Sequence, residues 1–304
     1  MMTLPTFRPS GPLAQKWQPN EETIFVAILD NFNSACDRTE LTDGTTIRKQ
    51  TEKDKQLYKA AGRDILLARA FLGWSDERVG DTFLVETRER GQTFDTVHDS
   101  MQEKLDRIRT ALRVLGFASA SITDVVFHQP NVATPPQPLW PSWLSRMSPW
   151  PLPPPTLQQS EVEDLNKVYA RLLTDPGRET ELAVRRFDRA HARVEPEEKL
   201  LDLWIGLEAL FSPSDTELRY RIALRVAYFI GSSTEREDIY SRLLNSYDWR
   251  SYIAHGRTGK APKGTLAEAL ESTEDYLRRA LRRLVVSPEP FVPEKLDILI
   301  ARGQ

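Results

Sequence analysis

Apolar positions change their rhythm along this chain. In the first 130 residues they come mostly as short runs bounded by turn residues. Thr23-Ile24-Phe25-Val26-Ala27-Ile28-Leu29 is of strand length, Asp81 to Arg88 holds Phe83-Leu84-Val85, and Ile122 to His128 is a third run. Short segments rich in β-branched and aromatic residues predict strands. Asp43-Gly44, set between Glu40-Leu41 and Thr45-Thr46-Ile47, is a hairpin signal, because glycine accepts the positive φ of a tight turn. Thr51 is placed to cap a short helix through Leu57. From Ser100 to Leu115, Met101, Leu105, Ile108, Leu112 and Leu115 recur at steps of four and three, one face of a helix. Together these predict a small α+β domain.

From about residue 160 a helical period takes over. Ser160 with Glu163 reads as a capping box opening a first helix that buries Val162, Leu165, Val168, Tyr169, Leu172 and Leu173. Glu179 to Arg193 is a second, burying Leu182, Phe187 and Ala190. Glu197 to Phe211 is a third, with Leu200, Leu203, Trp204, Leu207, Leu210 and Phe211 at helical spacing. Glu217 to Ile230 is a fourth and unusually apolar. Thr234 with Glu237 opens a fifth through Ile239, Leu243, Leu244 and Tyr247. Thr265 with Glu268 opens a sixth to about Val286, where Pro288 and Pro290 stop it. Six helices on short connections predict an antiparallel bundle, so the chain is mainly α overall.

Ten of the 21 prolines fall between Pro130 and Pro155. Such a segment forms neither a helix interior nor a central strand. It reads as an extended, polyproline-like connector, and Trp140, Trp143 and Trp150 within it predict that part of it lies against a domain. The expected division is residues 1–129 for the α+β domain, 130–158 for the linker, 159–290 for the bundle and 291–304 for a tail.

Composition narrows the function classes. The chain of 304 residues is 40% hydrophobic and 28% charged, a globular balance. With 41 basic and 44 acidic residues it carries −3, so no global basic field grips nucleic acid and any such contact is local. The single cysteine, Cys36, excludes an intrachain disulfide and a cysteine-based zinc knuckle. No apolar run has transmembrane length, and the first residues lack a signal pattern; a soluble cytoplasmic protein with no membrane partner is expected.

The usual catalytic signatures (Walker loop, G-x-G-x-x-G, H-E-x-x-H, G-x-S-x-G) are absent. The four histidines, His98, His128, His191 and His255, are scattered, so no metal site or cofactor is expected. One segment draws the chemistry: Tyr247-Asp248-Trp249-Arg250-Ser251-Tyr252-Ile253-Ala254-His255-Gly256. Gly256 is a natural helix terminator, which puts His255 in the last turn, where the helix end favours the imidazolium and a nearby Arg250 opposes it. An arginine with a histidine suits RNA cleavage, because RNA carries its own nucleophile in the 2′-OH. The histidine moves protons and the guanidinium stabilises the phosphorane. The bare spacing is common, however: with thirty arginines in the chain, Arg185 and Arg186 also match with His191.

The flanking residues say more. Arg186-Phe187 leads to Glu197-Glu198-Lys199-Leu200-Leu201-Asp202-Leu203-Trp204-Ile205-Gly206-Leu207-Glu208-Ala209-Leu210-Phe211. Leu218-Arg219-Tyr220-Arg221-Ile222-Ala223-Leu224-Arg225-Val226-Ala227 follows, and then Tyr247-x-x-Arg250-Ser251-x-Ile253-x-His255-Gly256. In order and spacing these blocks resemble the HEPN domain of the ApeA-like group, over roughly Ser160 to Val286. The resemblance implies an all-α bundle and a metal-independent endoribonuclease of toxin, abortive-infection or antiviral-defence type. It maps the R-x4-6-H motif onto Arg250 and His255 and the motif's polar residue onto Ser251. It also implies a homodimer with two motifs across one cleft, and leaves the N-terminal domain to sense a trigger ligand or protein. HEPN toxins regulated by AMP transfer carry tyrosine two residues after the histidine; here Arg257 stands there, positioned to meet phosphate instead. Glu208, a carboxylate on an apolar helix, needs a partner, with Arg221, Arg225 or Arg250 as candidates. Arg278-Arg279 and Arg282-Arg283 make a basic stripe on the sixth helix, which as a track for RNA would use Arg279 and Arg283. The alternative is a non-catalytic module for dimerisation or nucleotide binding.

Overall fold

The computed structural model describes residues 17–62, 81–139, 155–174, 177–212, 218–257, 260–286 and 292–302. Trp140, Trp143, Trp150, Pro288 and Pro290 lie outside them. Two compact bodies comprise residues 1–113 with 119–170, and residues 114–118 with 171–304.

The first body is built on an antiparallel sheet of strands β1 (Thr23–Asp30), β3 (Arg38–Glu40), β4 (Thr46–Lys49), β5 (Phe83–Glu89), β6 (Ser121–His128) and β7 (Gln137–Leu139), in the order β3-β4-β5-β1-β6-β7. All eight residues of β1 are buried, as a continuous apolar run requires when a central strand is covered on both faces. Ile24, Val26, Ile28, Leu84 and Val126 pack with Tyr58 of helix α1 (Glu52–Ala60). Phe25 meets Phe127, whose ring in turn meets Phe94 of helix α2 (Phe94–Val114). The β1–β6 register slips between Val26 and Ile28. There the Tyr58 hydroxyl lies 3.0 Å from the carbonyl of Val26 and 2.8 Å from that of Asp124, supplying the donor that an irregular ladder lacks.

The predicted strands and the Asp43-Gly44 turn are present, with Gly44 at φ 80°. Helix α2 begins six residues before its expected start, where the Thr93 hydroxyl accepts from the Thr96 amide. Within the expected linker, Gln137–Leu139 forms the sheet edge, the place where Pro138 costs no ladder bond. Thr156–Leu157 (β8) pairs in parallel with Asn33–Ser34 (β2).

The domain boundary falls later than the expected residue 159. Helix α3 (Val162–Leu173) lies in the first body up to Ala170, and the Tyr169 hydroxyl donates to Asp43 Oδ2 at 2.8 Å. Its period marks the buried Leu165, Val168 and Tyr169, while Leu173, expected on the same face, is exposed; nor does periodicity say against what a face is buried.

The second body is helical: α4 (Arg178–Ala192), α5 (Pro196–Phe211), α6 (Leu218–Ile230), α7 (Arg236–Ala254), α8 (Leu266–Val286) and α9 (Glu294–Ala301). Helix α5 packs against α4, α6, α7 and α8 and buries Leu200, Leu203, Trp204, Leu207, Leu210 and Phe211. A hydroxyl chain crosses this core. Trp204 Nε1 donates to Ser246 Oγ at 3.0 Å, Ser246 Oγ meets Thr273 Oγ1 at 2.5 Å, and Thr273 Oγ1 donates to the Ala269 carbonyl at 2.6 Å. Such a chain satisfies every buried polar group it contains.

Of the three expected capping boxes, Thr265 and Glu268 form theirs reciprocally. The other two sit two residues early. Glu161 accepts from the Gln158 amide, and Glu235 from the Ser232 amide and hydroxyl. Overlapping polar residues offer two registers, and the buried face of the helix selects one. Within the expected tail at 291–304, Glu294–Ala301 is a helix with Leu296 buried.

Candidate functional site

Helix α7 delivers the Arg250–His255 segment and ends as its glycine demands. Gly256 takes φ 71°. The Gly256 amide donates to the Ile253 carbonyl at 3.0 Å, and the Arg257 amide to the Tyr252 carbonyl at 2.8 Å. This is a Schellman closure. It leaves His255 exposed at the helix C-cap, with its own amide bonded to the Ser251 carbonyl at 3.0 Å. Ser251 is half-buried one turn earlier.

Arg250 turns toward α5. Its Nη2 stands 3.0 Å from Glu208 Oε1, and its guanidinium carbon lies 5.5 Å from the Tyr247 ring centroid. The ring of Tyr247 in turn meets Trp204 edge-on. Of the three arginines considered for Glu208, Arg250 is thus the partner. Burial pushes the Glu208 carboxyl above its ordinary range, while the Arg250 charge and hydrogen bond pull it down. The arginine is held in place yet keeps about a quarter of its side chain, 28%, open to solvent.

The other arginines of the expected site are engaged within the protein. Arg257, at φ 61° just past the glycine, pairs with Glu197 in the first turn of α5. Arg279 donates to the Ile230 carbonyl at 3.0 Å and meets Glu235 at 3.3 Å. Arg283 donates to the Phe229 carbonyl. The stripe on α8 therefore caps the C-terminus of α6, satisfying carbonyls that the helix cannot.

Several partnerships are invisible to spacing. Asp202, 4% exposed, accepts from Arg186 at 2.8 Å and Arg193 at 3.1 Å and has Arg189 at 3.5 Å. Arg225, 1% exposed, donates to the Phe211 carbonyl at 2.5 Å and grips Asp297 of α9 through two bonds of 2.8 and 2.6 Å. That grip holds the Asp297 carboxyl below its ordinary range. His191 bridges helices, with Nδ1 2.9 Å from the Phe187 carbonyl and Nε2 3.3 Å from Glu274. A Cβ on Gly206 would stand 2.8 Å from Leu277 Cδ2, so glycine permits the approach of α5 and α8. Arg186, Asp202, Gly206 and Arg225 all belong to the sequence blocks quoted above; the signal was present, and the partners were not.

Among the described residues, no group of three or more His, Cys, Asp or Glu side chains could hold a metal ion, and no helix is long and apolar enough to cross a membrane. No family model matches the chain, and no curated protein or solved structure matches it.

Proposed function

We propose that the protein is a cytoplasmic, metal-independent endoribonuclease of HEPN type, acting as a homodimer in a toxin-like or antiviral abortive-infection role. The observation that carries the reading is the end of α7. A histidine stands exposed at the C-cap, and an arginine one and a half turns earlier is held by Glu208. In the reaction His255 exchanges protons with the 2′-OH or the leaving 5′-oxygen, as an imidazole does near neutral pH. Arg250 neutralises the dianionic phosphorane. The 2′-oxygen attacks its own phosphate, the bond to the 5′-oxygen breaks, and a 2′,3′-cyclic phosphate remains. Ser251 and Glu208 support the pair, and the N-terminal domain receives the trigger.

Gel analysis of cellular RNA incubated with the purified chain and EDTA tests the assignment. Cleavage is expected to fall at least 100-fold in both Arg250→Ala and His255→Ala, the scale of a lost proton-transfer or charge-stabilising group. Undiminished cleavage by His255→Ala overturns it. The pairing of Arg250 with Glu208 and of Arg257 with Glu197 supports a second reading, a non-catalytic dimerisation or nucleotide-binding module. That reading predicts no cleavage by the wild-type chain.

A further inference from the structure

The end of α7 holds one left-handed residue more than its closure requires. A Schellman end needs positive φ only at the residue after the cap, and Gly256 fills that place at 71°. Arg257 follows at φ 61°, a conformation that costs free energy in any residue with a Cβ. An apolar side chain at this place commonly packs back on its own helix. Here the side chain is a guanidinium, and it pairs with Glu197 of α5. Backbone strain of this kind persists where surrounding contacts hold it, and it gathers at functional sites.

Glu197 and Glu208 share a stripe of α5. Eleven residues separate them, so at about 100° per residue they lie within about 20° of one face, about 16 Å apart along the axis. Trp204 falls on the same stripe and meets Tyr247 and Ser246 of α7, so this is the face that α5 turns to α7. From it Glu208 takes Arg250, five residues before His255, and Glu197 takes Arg257, two residues after it. The histidine stands exposed between the two anchored points. The amide bonds of His255, Gly256 and Arg257 to Ser251, Ile253 and Tyr252 are the last of the helix, where ends fray. Glu197 is placed to stop that fraying. It sits in the first turn of α5, where the helix N-terminus favours a carboxylate, and its side chain is only 25% exposed.

We propose that Glu197 is a positioning residue for the cleavage step: by pinning Arg257 it closes the last turn of α7 and fixes the His255 imidazole relative to Arg250. This rests on the ribonuclease reading above. Arg257 is then a tether, in place of the phosphate contact that the sequence suggested. The effect falls on catalysis and not on binding. With the last turn open, Arg250 still meets the phosphate, but fewer of the bound complexes have the imidazole aligned for proton transfer.

Two measurements on the full chain test the tether. In steady-state cleavage of cellular RNA, Glu197→Gln and Arg257→Gln should each lower kcat roughly 10- to 100-fold, the scale of a displaced reacting group, with KM changed by less than about twofold. The double variant should be no worse than either single one, because both remove the same pairing. Glu197→Asp, which keeps the charge, should recover most of the rate. A phosphate contact by Arg257 predicts instead a raised KM in Arg257→Gln and no loss in Glu197→Gln. The second readout needs no RNA. The His255 ring signal in a proton–carbon NMR spectrum, assigned by its disappearance in His255→Ala, should be single and sharp in the parent and broadened or doubled in Glu197→Gln. Thermal midpoints should nearly coincide, since an ion pair at the surface adds little stability. An unchanged kcat or an unchanged His255 signal in Glu197→Gln overturns the tether, and the ribonuclease reading survives if the wild-type chain still cleaves. If the wild-type chain cleaves no RNA, that reading falls, and the histidine signal alone decides whether Glu197 orients His255.

Discussion

Two ion-pair centres, one in each body, hold arginine in opposite proportions. In the sheet body Arg48 lies between two carboxylates, bonded to both oxygens of Asp54 at 2.7 Å and to Glu86 at 3.0 Å. In the helical body the ratio is reversed: the single carboxylate of Asp202 gathers Arg186, Arg189 and Arg193, with Glu198 alone meeting Arg193 from the side. A chain whose formal charge is only −3 thus still gathers three guanidiniums around one carboxylate. The totals hide this, because a site feels charges within about a Debye length and not the sum over the molecule. The arrangement in the sheet body is closed, with Arg48 and Asp54 both largely buried and matched. Arg189 in the helical body is more than half exposed at 54% and shares a carboxylate already bonded twice.

Breaking these centres should cost most where closure is most complete. Asp54→Ala strips Arg48 of its bidentate partner and removes the carboxylate that accepts from the Thr51 amide at the head of α1. A loss of about 4 kcal/mol is expected, the sum of a broken buried pair and a lost cap. It should appear as faster amide exchange throughout the sheet, since each body opens on its own scale. Asp202→Ala leaves three guanidiniums facing one another and should cost about 3 kcal/mol, read as lost protection in α4 and α5 with the sheet unchanged.

A smaller effect is expected at the C-terminal helix. Asp297→Ala leaves Arg225 with only the Phe211 carbonyl, at about 2 kcal/mol for a buried donor deprived of its acceptor. Exchange in α9 should rise before that of the α5–α8 core. Should α9 stay as protected as in the parent, its docking rests on Leu296 rather than on the ion pair.

The smallest effect distinguishes the carboxylates by pH. Burial raises Asp54, but the hydrogen bonds from Arg48 and Thr51 more than offset it and leave its carboxyl below the ordinary range. Its stabilisation is therefore present above the unfolded value of about 3.9 and is lost as pH falls through the lower folded value. Glu208 has the opposite sign. Its folded carboxyl is raised by burial, so its charging penalises the fold as pH climbs from about 4.3 through the raised value. Denaturation followed from pH 3 to 7 should show Asp54→Asn flattening the acid limb. Glu208→Gln should remove the decline above it, and an identical acid limb in Asp54→Asn would refute the assignment.

The legibility of the molecule follows the same division. The apolar run of β1, the Asp43-Gly44 turn, the Thr265–Glu268 box and the Gly256 stop were readable because each depends on residues within four positions of one another. The shifted boxes at Gln158 and Ser232 show the limit of such local signals. Two polar residues a step apart serve equally until packing of the helix face selects between them. The resemblance blocks marked Arg186, Asp202 and Glu208 as distinctive residues, but not which of them meet. The basic stripe of Arg279 and Arg283 gave no hint of the α6 carbonyls they meet, because a charge run looks the same whether it faces water or a helix end.

Sequence by itself therefore determined the central strands, the helical period of the second half and the placement of Arg250 and His255 at the end of one helix. The periods of 2 and 3.6 and the conformational freedom of glycine are properties of the local chain. Only the tertiary structure decided that Arg250 meets Glu208, that Arg225 meets Asp297 across 72 residues, and that α3 belongs with the sheet. Those pairings carry no local code; they arise when buried faces close on one another and each buried charge takes a partner within reach.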